Sequence, residues 1–254
     1  MEKEPTFNKP AETNNDTKRQ RDRKALAKIW AKDTISWIEA KKNGEFDPAR
    51  HDVLEKEDYL VAIKKYFSDA SDFFKKAVFI DVGSGPGSRI HDAVAELGAK
   101  IINVEVSSGA IKYLEETRGE HGLVGDAFVL PFADNSIDGI ISSNFINMTN
   151  HTPRITETEK LNIKDFIKEV ARVLKPNGLF IQSNFGGSLD LNDFALELIR
   201  SHGFIAITKI EPITDARKSA QTEYNNGLRY GWKNPLAFIA KKQTTPKPES
   251  TQVH

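Results

Sequence analysis

A short apolar segment followed by three closely spaced glycines constrains the fold of this chain more than any other feature. Residues 79–82 read Phe-Ile-Asp-Val, an apolar run with β-branched residues that predicts a buried strand. Gly83, Gly85 and Gly87 come next, and glycines let a chain turn sharply and bring its backbone close to a ligand. From about Ser88, apolar residues recur at helical spacing. The segment therefore predicts a strand, a glycine loop and a helix.

A second apolar run, residues 101–105, follows about twenty residues later and ends in Glu105. A carboxylate at the end of this second strand can accept hydrogen bonds from ribose hydroxyls. The order of elements predicts a nucleoside-binding pocket. The glycine spacing differs from the G-x-G-x-x-G of dinucleotide-binding loops, and Asp81 stands two residues before the first glycine. An acid there disfavours a pyrophosphate and suits a cationic ligand.

The glycine segment resembles the first motif of the class I S-adenosylmethionine-dependent methyltransferases, in particular the methyltransferase-11-like enzymes that act on small molecules. Residues 125–138, Gly-Asp-Ala-Phe-Val-Leu-Pro-Phe-Ala-Asp-Asn-Ser-Ile-Asp, are similar to the passage from the third to the fourth strand of that family. Residues 173–181 are similar to the family's helix, turn and fifth strand. The resemblance covers roughly residues 77–242.

The resemblance implies S-adenosyl-L-methionine as the cofactor and assigns roles to particular residues. Glu105 would hold the ribose hydroxyls, Asp126 would accept from the adenine amine, and Asp81 would lie near the amino-acid portion. The backbone of the glycine loop would approach the cofactor. The full cofactor-binding set that it implies is Asp81, Gly83, Ser84, Gly85, Gly87, Glu105, Val106, Asp126, Ala127 and Asn144.

The alternation of apolar strands and amphipathic helices predicts an α/β fold with a doubly wound, mostly parallel sheet of seven strands. The last strand is expected to run antiparallel, as the resemblance implies. Strands are predicted near residues 77–82, 100–105, 122–125, 137–142, 179–184, 204–211 and 235–241. Helices are predicted near residues 88–98, 107–117, 159–174 and 189–202, after an N-terminal helical extension.

The domain prediction has four parts: a disordered tail at residues 1–16, a helical cap at 17–76, a Rossmann-like S-adenosylmethionine-binding domain at 77–242 and a second disordered tail at 243–254. The cap is expected to contain two helices, at residues 17–42 and 55–75. Two interpretations of these helices remain open: a lid over the cofactor and substrate, or a buttress that only packs on the sheet.

Two long connections, residues 145–158 and 212–234, are each either functional or disordered. We favour a functional role for the second, because its aromatic content argues against disorder.

Methyl transfer from a sulfonium is an in-line displacement, which requires alignment of the nucleophile and exclusion of water more than a dedicated catalyst. The catalytic residue therefore stays unassigned. His151 is a candidate base or an exposed loop residue, His121 is expected on the surface and His91 is expected to be structural. Asn144 lines the pocket or caps a strand. Residues 143–146 lack the Asn/Asp-Pro-Pro-aromatic signature of enzymes that methylate exocyclic base or amide nitrogens.

Composition excludes several function classes. With 36 basic and 36 acidic residues the chain is formally neutral, which gives no general attraction to nucleic acid, and the basic run at residues 18–24 is best explained as a solvated helix start. There is no cysteine and no metal-binding histidine pair. Without an apolar leader or spanning segment, we expect a soluble cytoplasmic protein with a small-molecule substrate and no membrane partner.

Three functions are consistent with these features: a small-molecule methyltransferase, a non-catalytic S-adenosylmethionine-binding partner subunit and an NAD-dependent oxidoreductase. The glycine spacing and the Asp126 motif disfavour the last. The sequence leaves the methyl acceptor and the oligomeric state open.

Overall fold

The strands of this protein form one sheet. The computed structural model describes residues 14–45, 54–67, 70–145, 157–184, 189–211 and 236–244. Its strands are β1 (Val78–Val82), β2 (Lys100–Glu105), β3 (Gly122–Val124), β4 (Ile137–Ser143), β5 (Leu174–Asn184), β6 (Phe204–Lys209) and β7 (Leu236–Lys242). They lie side by side in the order β3-β2-β1-β4-β5-β7-β6.

The first five strands are parallel, and the last strand, β7, runs antiparallel between β5 and β6. This confirms the predicted fold class, a mostly parallel α/β sheet of seven strands. The chain moves outward from β1 to β3 on one side and then returns to place β4 on the other side of β1. The strand order therefore reverses between β1 and β4, and ligands bind at such a switch point in open α/β sheets.

Seven helices lie among the described residues: α1 (Asn14–Lys42), α2 (Lys56–Tyr66), α3 (Ala70–Lys76), α4 (Arg89–Glu96), α5 (Ser108–Arg118), α6 (Glu157–Val173) and α7 (Leu189–Ser201). Serines begin the two helices nearest the glycine loop: the Ser88 hydroxyl accepts from the His91 amide, and the Ser107 hydroxyl accepts from the Ala110 amide. These caps satisfy amide groups that have no partner within their helices. None of the described helices is long and apolar enough to cross a membrane.

Two sequence-based boundaries differ from the structure. The continuous helix predicted over residues 55–75 is wrong, because Phe67 adopts an extended conformation and ends α2. The Phe67 ring then stacks on Phe73 and meets Phe74 edge-on in α3, contacts between α2 and α3 that helical periodicity does not predict. The second difference is β5, which begins at Leu174 rather than at residue 179. Its pairing with β4 is irregular there, and Asn177 has a positive φ of 65°.

The two faces of the sheet bury separate apolar clusters. One cluster joins the sheet to α6 and α7 through side chains such as Phe166, Phe180 and Phe238. The other joins the opposite face to α2, α3 and α4 through residues such as Tyr59 and Phe79. Successive residues of a strand point to opposite faces. The side chains of β1, β4 and β5 therefore enter the two clusters alternately. Both faces are covered, as a parallel sheet requires.

Several sequence-based predictions fall on residues outside the described ones. Both proposed tails lie mostly there, although α1 already begins at Asn14. The 212–234 connection lies there entirely, and so does most of the 145–158 connection, including His151.

Candidate functional site

The glycine loop connects the end of β1 to the start of α4 and is tied to β2. The Gly83 amide donates to the carbonyl of Val104 at 2.8 Å, and the Gly87 amide donates to the carbonyl of Ser84 at 2.9 Å. Gly83, Gly85 and Gly87 have φ values of 69°, 50° and 94°, a left-handed region that other residues rarely adopt. Glycine is therefore required here by the backbone itself.

Glu105 lies beneath this loop at the end of β2. One carboxylate oxygen, Oε2, accepts from the Gly85 amide at 3.1 Å, and the other, Oε1, accepts from the Ser107 amide at 3.1 Å. The side chain is only 7% exposed. A carboxylate has about four acceptor positions, so both oxygens keep capacity for further donors. The arrangement fits a carboxylate that receives ligand hydroxyls next to the glycine loop.

Burial raises the pKa of the Glu105 carboxyl, because an ionised group loses hydration inside the protein. The amides of Ser107, Gly85 and Val106 oppose this shift by donating to the carboxylate. A hydroxyl pair that brings two more donors would stabilise the charged form in the same way.

The surface of the loop also fits a closely approaching ligand. A Cβ placed on Gly85 would have no atom within 4 Å. The space above the Gly85 backbone is therefore open to a ligand. The buried hydroxyl of Ser84 has no hydrogen-bond partner among the described residues, and buried hydroxyls are normally paired. The free hydroxyl and the open face of Gly85 both suit a polar group that binds over the loop.

Asp126 follows β3, the strand that pairs with β2 and therefore lies next to the end of β2 where Glu105 stands. The Gly125 amide donates to the Glu105 carbonyl at 3.0 Å, which joins the two acids through the backbone. The Asp126 Oδ1 atom accepts from the Phe128 amide at 2.9 Å, and the side chain is exposed. Ala127, the next residue, is buried. The second carboxylate oxygen of Asp126 is thus available at the surface beside the buried Glu105.

Two residues of α6 hold the segment that follows Asp126. The Arg172 guanidinium donates to the carbonyls of Leu130 and Phe132 at 3.0 and 2.9 Å. The Glu169 carboxylate accepts from the Leu130 amide at 2.6 Å and pairs with Arg172. Sequence reasoning missed this clamp, although the arginine and the glutamate stand three residues apart on a predicted helix, where such pairs are expected.

Asp81 is fully buried at the centre of the sheet, and its Oδ2 atom lies 3.0 Å from Nδ1 of His91. The other ring nitrogen of His91 lies 3.2 Å from the Glu120 carboxylate, which also pairs with Arg118. Arg118 in turn pairs with Asp92 in α4. This network connects the strand before the glycine loop to the helix after it and to the end of α5.

The two carboxylates raise the pKa of His91 to about 9 against the opposing effect of burial, so the imidazole is a cation at neutral pH. Burial raises the pKa of Asp81, because the His91 bond compensates only part of its lost hydration. Both shifts mean that the pair binds its shared proton tightly. Sequence reasoning predicted a structural His91 but not its partners, Asp81 and Glu120, which come from two separate segments.

The end of β4 brings Asn144 and Phe145 to the same edge. Asn144 has a positive φ of 60°, and its backbone amide donates to the backbone carbonyl of Ser183 at 2.6 Å. The Phe145 ring reaches the glycine loop, because a Cβ on Gly83 would lie 2.8 Å from its Cδ2 atom. Trp30 of α1 meets the same ring edge-on at a centroid distance of 6.1 Å.

The long helix α1 crosses this edge. The Lys41 ammonium donates to the carbonyl of Pro86, in the glycine loop, at 3.1 Å. Earlier in the same helix, Cγ1 of Ile35 would lie 3.4 Å from a Cβ placed on Gly109 in α5. The first helix therefore contacts the loop itself and the helix after β2.

Residues 80–182 match the sequence profile of a family described as a methyltransferase domain. Among curated proteins, "Arginine-hydroxylase NDUFAF5, mitochondrial" of Mus musculus is 28% identical over 142 residues, which are 56% of this chain and 37% of that protein. The "Demethylmenaquinone methyltransferase" of Renibacterium salmoninarum is 28% identical over 123 residues, which are 44% of this chain and 47% of that protein. The matched region thus spans less than half the length of either relative.

A similar fold occurs in the solved structure of Burkholderia thailandensis 1,6-didemethyltoxoflavin-N1-methyltransferase with bound 1,6-didemethyltoxoflavin and S-adenosylhomocysteine. The two proteins superpose with a TM-score of 0.53 over 94% of each chain, at 13% sequence identity. At that identity the likeness concerns the fold. The profile match shows a methyltransferase domain at residues 80–182, and the likeness of fold to this methyltransferase extends over most of the chain.

Proposed function

We propose that this protein transfers a methyl group from S-adenosyl-L-methionine to a small-molecule acceptor by in-line displacement. One observation carries the proposal: the buried Glu105 carboxylate accepts from the amide of Gly85 in the glycine loop. A carboxylate held beside the glycine loop supports the binding of ribose hydroxyls at the surface that the loop offers to a ligand. A curated relative named for methylating demethylmenaquinone supports a small-molecule acceptor.

In this proposal the acids and the glycine loop of the predicted site have separate tasks. Glu105 accepts the ribose hydroxyls, and the free oxygen of Asp126 accepts from the adenine amine. The backbone of the glycine loop approaches the cofactor, and the Ser84 hydroxyl supplies a polar contact there. The remaining members of the set, which lie next to these residues along the chain or at the ends of β1 and β4, are Asp81, Gly87, Val106, Ala127 and Asn144.

The bound sulfonium supplies an already activated methyl group, so the protein needs to align the acceptor and exclude water. The aromatic rings of Trp30 and Phe145 contribute an apolar wall at the edge where α1 crosses. No described residue is assigned as a base. A base is needed only for an acceptor that loses its proton with difficulty.

Turnover with a substrate panel tests the proposal. Purified protein is incubated with S-adenosyl-L-methionine and small-molecule acceptors, and formation of S-adenosylhomocysteine is followed by mass spectrometry. Methylated product that depends on Glu105 would support methyl transfer. Tight cofactor binding without turnover on any acceptor would favour the second candidate, a non-catalytic cofactor-binding partner subunit.

A third candidate comes from the name of the mouse relative, an arginine hydroxylase. Its similarity to this chain means that the domain alone does not guarantee methyl transfer. An arginine-containing peptide incubated with the protein, either with S-adenosyl-L-methionine or with molecular oxygen and an electron donor, distinguishes the two chemistries. Hydroxylation adds one oxygen atom to the peptide, whereas methyl transfer adds a methyl group. The relative is also named as mitochondrial, and the cytoplasmic location of the present chain stays a prediction.

Replacing Asp126 is expected to weaken cofactor binding in a graded way. Asp126→Ala removes the acceptor for the adenine amine and should lower affinity more than Asp126→Asn, because an amide oxygen still accepts, though without charge. A hydrogen bond to a charged group contributes roughly 1.5–3 kcal/mol, which is about 10- to 150-fold in affinity. Calorimetry with S-adenosylhomocysteine measures both variants. If Asp126→Ala binds S-adenosylhomocysteine with wild-type affinity, Asp126 is not the residue that contacts the adenine.

Trp30 distinguishes a lid from a buttress. If α1 acts as a lid, Trp30→Ala should raise the KM for the acceptor or lower turnover while the affinity for S-adenosylhomocysteine stays within about two-fold, because the ring contacts Phe145 rather than Glu105. Trp37→Ala is the matched control, since Trp37 lies on the same helix and is 38% exposed. Loss of thermal stability in Trp30→Ala with unchanged acceptor kinetics would show that α1 only supports the sheet.

A further inference from the structure

Three uncharged polar side chains lie together at the carboxyl ends of β4 and β5. Ser142 pairs with Gln182 in the register of the two strands, and Asn184 follows two residues later on the same face. Ser142 and Gln182 are completely buried, and Asn184 is 2% exposed. Polar side chains are rarely buried this fully at the end of an apolar strand without a partner.

Each of the three has a polar atom without a partner among the described residues. These atoms are the Ser142 hydroxyl oxygen, Oε1 of Gln182 and Nδ2 of Asn184. The Gln182 amide is oriented by its own bonds, because Nε2 donates to Oδ1 of Asn184 at 2.9 Å and to the Ser183 carbonyl at 3.1 Å. Oε1 of Gln182 is therefore a free acceptor and Nδ2 of Asn184 a free donor.

The surroundings of this polar group are apolar and aromatic. Phe180 precedes Gln182 by two residues on the same face, and Phe238 pairs with Gln182 from β7. Both phenylalanines belong to the cluster against which Phe145 and Trp30 also pack. Because Phe145 reaches Gly83 at the glycine loop, the same apolar cluster extends from the loop to the polar group.

No charged side chain lies among the described residues at this end of the three strands, 142–145, 182–184 and 236–238. A carboxylate or an ammonium enclosed between these strand ends would lose its hydration without gaining an opposite charge from them, which is unfavourable. A neutral group with one donor and one acceptor would satisfy the unpaired amide atoms. Its apolar body would lie against the phenylalanine rings.

We propose that Ser142, Gln182 and Asn184 recognise the methyl acceptor through an uncharged group that both donates and accepts hydrogen bonds, such as a carboxamide or a lactam, carried on an apolar or aromatic body. This inference rests on the proposed function, because it takes the carboxyl ends of β4 and β5 as the acceptor side of the site. It narrows the acceptor class from small molecules in general to neutral amide-like compounds.

Three probes of nearly equal shape test the inference: benzamide, benzoate and benzylamine. Each is titrated by ligand-observed NMR into the full chain saturated with S-adenosylhomocysteine. Benzamide should bind at least about ten-fold more tightly than either charged probe, since only it satisfies both free amide atoms without a buried charge. Gln182→Met and Asn184→Leu should each abolish that preference while S-adenosylhomocysteine affinity stays within about two-fold.

Ser183→Ala is the matched control, because Ser183 lies between Gln182 and Asn184 but faces the opposite side, where it accepts from the Tyr59 hydroxyl at 2.7 Å. It should keep the benzamide preference. If either substitution on the recognition face fails to fold, the smaller Ser142→Ala should still reduce the preference. Equal or tighter binding of a charged probe, or an unchanged preference in folded Gln182→Met, would overturn the inference and leave the proposed function intact. Failure of wild-type protein to bind S-adenosylhomocysteine would overturn both.

Discussion

His91→Ala is expected to lower the free energy of unfolding by about 3–5 kcal/mol, the loss typical of removing one partner from a buried ion pair. The substitution leaves the fully buried Asp81 carboxylate without its cationic partner, whereas Glu120 keeps Arg118 and the Asn103 side-chain amide. Urea unfolding followed by circular dichroism at neutral pH measures the change. His121→Ala is the control, because that exposed side chain should contribute less than about 0.5 kcal/mol.

The raised pKa of His91 also makes the free energy of unfolding depend on pH. The pKa of His91 is near 9 in the folded protein and 6.5 without the fold, so its contribution is fully present below pH 6.5 and is lost as the pH rises through 9. The shift of 2.5, from 9 − 6.5, corresponds to a loss on the order of 3 kcal/mol. The pKa of Glu120 is lowered to about 2 by His91 and Arg118, against the effect of burial, so its contribution is lost as the pH falls from 4.5 towards 2. A wild-type protein equally stable at pH 6.5 and pH 9 would contradict the network.

Glu105→Ala is expected to weaken S-adenosylhomocysteine binding by about 10- to 150-fold, the equivalent of roughly 1.5–3 kcal/mol for hydrogen bonds to a charged acceptor. The variant also leaves the amides of Gly85 and Ser107 without their carboxylate partner, which should loosen the glycine loop. Calorimetry gives the affinity, and thermal unfolding gives the folded fraction. Glu115→Ala, an exposed position on α5, is the matched control. Unchanged affinity in folded Glu105→Ala would disprove the ribose assignment.

The sequence predicted the sheet well because its strands are short apolar runs separated by amphipathic helices, and both patterns are local. The antiparallel last strand followed from resemblance and is confirmed by the pairing of β7, whereas the order of the strands comes from the structure. The end of α2 at Phe67 was not predicted, because that residue continues the helical periodicity and is turned by contacts with Phe73 and Phe74. Tertiary packing therefore overrides a local pattern there.

The site was predictable in part for the same reason. The glycines and Glu105 belong to one segment of strand, loop, helix and strand. The sequence alone therefore suggested that they would meet. Asp81 meets His91 of α4, and His91 meets Glu120 after α5, while the side-chain amides of Gln182 and Asn184 lie at the end of an apolar strand. No pattern along the chain reveals such pairings, since they depend on how separate elements pack against one another.

We propose that the glycine loop, Glu105 and Asp126 together form the binding site for S-adenosyl-L-methionine. Calorimetric titration of the full chain with S-adenosylhomocysteine and, separately, with NAD tests it most directly. The account predicts saturable binding of S-adenosylhomocysteine that Glu105→Ala weakens, and no saturable binding of NAD at the same concentrations. Binding of NAD in preference to S-adenosylhomocysteine, or binding of neither, would contradict the assignment of this site.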